Sequence, residues 1–177
     1  MLKGKVLVTP RLVLRPVEEK DKDSLFKILS DEETTKFLSV YYESEEDAQR
    51  WIDKCKDDEG FHFYRALELK ETGEFIGGIG ALINTFDNSA ELWFFLNRDF
   101  WRQGFMGEAA EEMVRFLLLE EGFNRISASH CVRNPASGGV LRKAGMSYEG
   151  MSRELRRNRL GYHDCHRYAI LKSDLAR

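Results

Sequence analysis

Three stretches of this 177-residue chain hold residues whose types and spacing suit chemistry. The first is Trp101-Arg102-Gln103-Gly104-Phe105-Met106-Gly107-Glu108-Ala109, a glycine turn between a strand pattern and an amphipathic helix pattern. Such a turn leaves backbone N–H groups pointing outward at the positive end of a helix, where they bind phosphate oxygens without a charged side chain. Gly104 can take positive φ there, and Gly107 lets a ligand approach the backbone. No Gly-Lys-Ser/Thr closes the turn, so it is not a Walker loop, and taken alone it reads equally well as a plain loop entering a helix. The second stretch is Asn134-Pro135-Ala136-Ser137, an N-cap followed by proline at the first helical position. The third is His163-Asp164-Cys165-His166, whose residue types suit a metal. On a strand, however, His163 and Cys165 face away from Asp164 and His166, and no second ligand pair has suitable spacing, so no metal is expected. The same alternation separates Cys131 from His130 and removes them as a thiol pair.

The elements that must position these residues read as one α+β domain over residues 1–177. Arg11 to Arg15 alternates charged and apolar residues as a half-buried strand, and Asp21 to Leu29 reads as a helix. A second helix starts behind an N-cap at Ser44, with Ala48, Trp51, Ile52 and Cys55 on one face. Phe63–Leu69, Phe75–Leu82 and Glu91–Leu96 form an expected antiparallel meander, broken at Thr72-Gly73 and Asp87-Asn88. Gly77-Gly78-Ile79-Gly80 is followed by more strand and not by a helix, so it marks a bulge or a close backbone contact, not a dinucleotide fingerprint. Gly107 to Glu121 carries an apolar stripe, with Gly122 as a natural terminator. A strand at Arg125–Val132, a short helix from Asn134 to Gly145 and a last pair of strands, Ser147–Leu155 and His163–Lys172, complete the sheet. The span from 91 to 132 is long enough for a parallel crossover.

A formal net charge of −3 argues against a general nucleic-acid coat. The cluster Arg153, Arg156, Arg157 and Arg159 reads first as a solvated hairpin and second as a phosphate or RNA contact. Three widely spaced cysteines suggest a reducing compartment, hence the cytoplasm. No apolar run reaches a membrane span, and a signal-peptide core is absent.

In order and spacing the chain resembles the RimJ/RimL-like branch of the GNAT acetyltransferases over nearly its whole length. Thr9-Pro10-Arg11-Leu12-Val13-Leu14-Arg15-Pro16 is similar to that family's first strand, and Ala90-Glu91-Leu92-Trp93-Phe94-Phe95-Leu96 to its fourth. Trp101 to Ala109 resembles its pyrophosphate loop. Asn134-Pro135-Ala136-Ser137 with Leu141-Arg142-Lys143-Ala144-Gly145-Met146 resembles its Asn-x-x-Ser … Lys-x-Gly-Phe block. Two departures stand out: Met106 where the family has Gly or Ala, which crowds the phosphate turn, and Met146 for Phe, a volume-conserving change.

The resemblance implies a mixed, mostly antiparallel twisted sheet flanked by helices, in which the fourth and fifth strands splay apart to admit acetyl-CoA. It implies that the backbone of Phe94, Phe95 and Leu96 pairs with the pantetheine arm, with a donor near Phe95 polarising the thioester carbonyl. Backbone N–H groups of Gln103, Gly104, Phe105, Met106, Gly107 and Glu108 would hold the pyrophosphate, with Arg102, Arg142 and Lys143 near its charges. Glu91, at the start of its strand, is the candidate base for the amine, and Ser137 the candidate donor to the thiolate, with Asn134 beside it. Each has a plainer explanation: a solvated strand end, a first-turn serine and a helix cap. Asp164 matches an acidic position that attracts an amine or ties down a turn. The expected reaction is acetyl transfer from acetyl-CoA to a primary amine, such as a protein N-terminal α-amine on a ribosomal protein. A small amine, an antibiotic or a polyamine stays open as acceptor, as do an inactive acyl-CoA-binding module and a homodimer; no membrane or direct nucleic-acid partner is expected.

Overall fold

The structure is a computed structural model that describes residues 4–56 and 62–176. Apolar stretches bounded by turn signals in the first half assemble into an antiparallel run. Strand β1 (Leu7–Val8) pairs with β2 (Leu12–Arg15), then come β3 (His62–Leu69), β4 (Phe75–Asn84) and β5 (Ser89–Leu96). Helices α1 (Lys22–Leu29), α2 (Glu32–Thr35) and α3 (Glu45–Lys56) sit between β2 and β3. Asp47 accepts the backbone N–H groups of Glu43 and Ser44, the reach-back expected at the start of α3. Buried Asp21 grips Arg15 through both of its carboxylate oxygens at 2.7 and 2.8 Å, with Glu68 on the other side, so β2 is locked to the start of α1.

Behind β5 the chain crosses over through α4 (Phe105–Arg115), which relaxes into a π-helical turn at Phe116–Glu120 and stops at Gly122, whose φ is 78°. It returns as β6 (Arg125–Cys131), parallel to β5. Helix α5 (Pro135–Lys143), β7 (Ser147–Asn158) and β8 (Gly161–Leu171) follow. The result is one eight-stranded mixed sheet in the order β1-β2-β3-β4-β5-β6-β8-β7.

Two cores cover its two faces. Phe63, Ile79, Leu92 and Ile126 join Met113 and Leu117 of the crossover and Leu141 of α5 on one face. Leu25 and Leu29 of α1, Ala48 and Ile52 of α3, Tyr64 and Phe95 form the other. The β5–β6 ladder runs only from Ser89↔Arg125 to Leu92↔Ala128. Beyond it β5 continues to Leu96 and β6 to Cys131, so the two strands part and open the sheet from one face to the other. These two strands are the splayed pair that the resemblance implied.

Candidate active site

The opening between β5 and β6 is a cavity of about 410 Å³. Glu91, Phe94 and Phe95 of β5 line it, facing Ser129 and Cys131 of β6 and Asn134 and Ser137 at the start of α5. Of the expected site residues, Glu91, Phe94, Phe95, Asn134 and Ser137 line this cavity, whereas Leu96 and the turn from Arg102 to Glu108 lie outside its lining.

Backbone direction decides which groups line the gap. The Asn97 N–H donates to Ile76 in β4, whereas the Leu96 carbonyl accepts the Trp101 indole N–H and Ser127 reaches the Ala90 carbonyl from β6. Polar groups alternate along a strand, so Phe94 and Leu96 present theirs to the open edge and Phe95 presents its own to β4. The Phe95 backbone therefore belongs to the β4–β5 ladder and is not free to pair with a pantetheine arm as expected, which leaves its neighbours Phe94 and Leu96 facing the opening.

At the glycine turn, Gly104 has a φ of 83° and Arg102 one of 60°. Gly104 precedes the first residue of α4, so the N–H groups of Phe105, Met106 and Gly107 have no acceptor inside the helix. Glu108 differs from that expectation, because its N–H already donates to the Gly104 carbonyl at 3.1 Å. The Glu108 side chain is an anchor. It accepts from the Thr9 hydroxyl (2.5 Å), the Arg11 N–H (2.8 Å) and the Arg11 Nε (2.7 Å). Burial opposes its charge, but these donors outweigh burial and hold the carboxyl below its ordinary value. Arg11 also donates to the Gln103 carbonyl at 2.9 Å, and its guanidinium lies over the Phe105 ring.

Two cations therefore flank the turn: a Cβ on Gly104 would lie 3.4 Å from the Arg11 guanidinium and 4.0 Å from Lys143 Nζ. Arg11 was not singled out for this role in the sequence. Met106 is 5% exposed and belongs to the core under the sheet, so it does not crowd the turn. Gly107 has a different use from the one expected, because a Cβ there would strike the Lys143 side chain at 2.7 Å. Its bareness lets α5 pack against α4. Arg142 turns elsewhere, to the Tyr168 hydroxyl at 3.1 Å.

At the head of α5, the Asn134 side chain caps the helix through the Ser137 N–H and donates its own Nδ2–H to Ser137 Oγ at 3.0 Å. With that lone pair occupied, the Ser137 hydroxyl proton is free to point at a ligand. His130 lies close by. Burial pushes its imidazole pKa down, and its Nε2 has no partner among the described residues. Glu91 is the third residue of β5, not its first, because the strand begins at Ser89. Its Oε1 pairs with Arg156, which also reaches Ser129 Oγ at 3.3 Å. One member of the arginine cluster is thus part of the cleft and not of a solvated hairpin. Asp164 accepts the N–H of Glu154, whose φ is 48°, at a register shift inside β7 and not at a turn. Cys131 and Cys165 face each other across β6 and β8, both buried and free. Burial raises the Cys165 pKa, which disfavours a thiolate nucleophile.

The face of the cleft under α3 carries aromatic rings that no sequence motif announces. Trp51 meets Tyr64, Trp93 and Phe95 edge-on, at centroid distances of 5.5, 6.2 and 6.2 Å. Gly78 and Gly80 make room for this group: a Cβ would fall 2.7 Å from the Phe95 ring and 2.4 Å from that of Trp93. The glycine run in β4 is thus a close-contact site, next to a bulge in the β3–β4 register.

The splayed strands, the glycine turn and the capped serine stand in one arrangement, and the Acetyltransferase (GNAT) domain family model matches residues 11–147. The chain belongs to the GNAT acetyltransferases. It is 29% identical over 174 residues to the uncharacterised N-acetyltransferase p20 of Bacillus licheniformis, covering 96% of this chain and 98% of that protein. A GNAT-family acetyltransferase from Bacillus anthracis superposes with a TM-score of 0.85 at 23% identity, over 96% of this chain and 99% of that one. RimL, a ribosomal L7/L12 α-N-protein acetyltransferase solved with coenzyme A, superposes at 0.83 with 19% identity, over 94% and 98%. As a GNAT enzyme the chain is an acyltransferase, and its β5 and β6 are the family's parted pair. Among the described residues no helix is long and apolar enough to cross a membrane, and no His/Cys/Asp/Glu trio could hold a metal ion.

Proposed function

We propose that this GNAT enzyme transfers acetyl from acetyl-CoA directly to a primary amine, without an acyl-enzyme. The observation that carries this reading is the interrupted β5–β6 ladder, which leaves Phe94 and the N–H of Leu96 on the open strand edge. The residues present fit the coenzyme: an unpaired backbone edge suits an amide-bearing arm, and N–H groups at a helix start between Arg11 and Lys143 suit a pyrophosphate. When bound, acetyl-CoA supplies the activated acetyl group as a thioester.

The chain's own groups then have defined tasks. The N–H of Phe94 or Leu96 stabilises charge on the carbonyl oxygen. Glu91, oriented through Oε1 by Arg156, accepts the amine proton through water at its second oxygen. The Ser137 hydroxyl, aligned by Asn134, donates a hydrogen bond to the departing sulfur, and the proton lost by the amine ends on that thiol through water. Glu91 and Ser137 reside on opposite walls of one cleft, which supports giving them the two ends of the proton transfer. We place the enzyme in the cytoplasm, as a single domain.

The likeness to RimL in fold, and the resemblance in sequence, favour a protein N-terminal α-amine as acceptor. A free small amine is the second reading, favoured by the enclosed aromatic wall. The test is steady-state kinetics with acetyl-CoA, following CoA release and acetylated product by mass spectrometry. Glu91→Gln and Ser137→Ala should each lower kcat at least about tenfold while leaving the acetyl-CoA Kd unchanged. A full kcat in both variants contradicts the assigned roles.

A further inference from the structure

The two faces of the opened sheet differ, and the difference bears on the acceptor. The glycine turn and α5 lie on the face with α4, so a donor enters from there and an acceptor must come from the face under α1 and α3. That second face has an aromatic wall of Trp51, Tyr64, Trp93 and Phe95. Tyr42, 5% exposed, lines the same cavity, and its buried hydroxyl has no hydrogen-bond partner among the described residues. A buried hydroxyl left without a partner costs stability unless something completes it, so it points to a ligand.

Charge narrows the ligand further. Among the described residues lining the cavity, Glu91 is the one carboxylate and Arg156 the one lysine or arginine, and they pair with each other. A polyamine would bring a second ammonium into this cleft with no carboxylate left to receive it. Burying an unpaired charge costs several kcal/mol, more than the roughly 0.5–2 kcal/mol an aromatic face returns. The neighbouring cavity, which shares Leu38, Ser39 and Val40, is lined by Arg157 and by Arg159, the latter paired with Glu32, and no carboxylate lines it to draw a polycation.

Building on the amine-acetyltransferase reading, we infer that the acceptor is a monoamine with an aromatic body. Its ring lies against Trp93 and Trp51, its polar group completes the Tyr42 hydroxyl, and its amine is its one cationic group. This chemistry is shared by a free arylalkylamine and by a peptide with an aromatic first residue.

Direct binding tests the inference without needing turnover. The probes are tryptamine, the tripeptide Phe-Ala-Ala and spermidine, titrated calorimetrically into the full chain with CoA present and again without it. The expected result is tryptamine or Phe-Ala-Ala binding at least tenfold tighter than spermidine, with Trp93→Leu losing at least tenfold of that affinity. The better of the two probes distinguishes a free amine from a chain terminus. Spermidine binding as well or better, neither aromatic probe binding, or Trp93→Leu leaving the affinity intact would each overturn it. Acetyl-CoA titrated separately tests the parent reading: aromatic binding without acetyl-CoA binding retains the aromatic site and removes the acetyltransferase assignment.

Discussion

At the scale of single residues, Glu108 shows how a helix start doubles as an anchor. It joins the N-terminal segment to the first turn of α4 through Thr9 and both the amide and guanidinium of Arg11. Its folded pKa lies below the ordinary 4.5, so the unfolded chain takes up the proton first as pH falls. The stabilisation is therefore complete above about pH 4.5 and fades as pH drops through the folded value. Glu108→Ala should cost about 2 kcal/mol, the worth of hydrogen bonds to a charged group, read as a lower urea midpoint at pH 7. Glu108→Gln should flatten the acid limb of the stability profile. An unchanged midpoint in Glu108→Ala would contradict the anchor. The sequence shows Glu108 only as one letter of the turn, because its partners stand 97 and 99 positions away.

At the scale of elements, the turn into α4 depends on one glycine. Gly104 sits at a φ of 83°, where a Cβ costs about 1–2 kcal/mol. Gly104→Ala should show that loss by thermal unfolding. Gly104→Asp adds a carboxylate where the coenzyme's phosphates are proposed to lie, and should abolish acetyl-CoA binding while circular dichroism stays native. Undiminished binding in Gly104→Asp contradicts the turn assignment. Gly80→Ala should shift the Trp93 ring, which a Cβ would meet at 2.4 Å, at about 1–3 kcal/mol of overpacking, seen as a lower melting temperature.

Much of this level was legible in the sequence. Alternation marks β2, turn-bounded runs mark β3 to β5, the apolar stripe marks α4, and Asn134-Pro135 marks the start of α5, because each depends on near neighbours. The two-residue β1 and the four-residue α2 are too short to carry a period. Met106 looked like an obstruction because a motif position does not say which way its side chain turns. The Glu91–Arg156 pair spans 65 residues, and the aromatic wall gathers rings from α3, β3 and β5, so local spacing holds no trace of either.

At the scale of the molecule, a sheet pulled open between β5 and β6 joins two unlike faces, one proposed to take the phosphorylated donor and the other an amine with an aromatic body. A ligand that fills the gap binds only the folded state and should stabilise it. At one hundred times Kd the gain is about 2.7 kcal/mol, a rise in melting temperature of about 5–10 °C for a chain of this size. Differential scanning fluorimetry with acetyl-CoA checks this, and NAD at the same concentration should leave the melting temperature unchanged. The most direct measurement is calorimetric titration of the protein with acetyl-CoA. The account predicts one site of micromolar affinity, near −8 kcal/mol, with free CoA binding and NAD silent. No heat of binding from acetyl-CoA would mean that the parted strands do not receive the coenzyme, and would contradict the account.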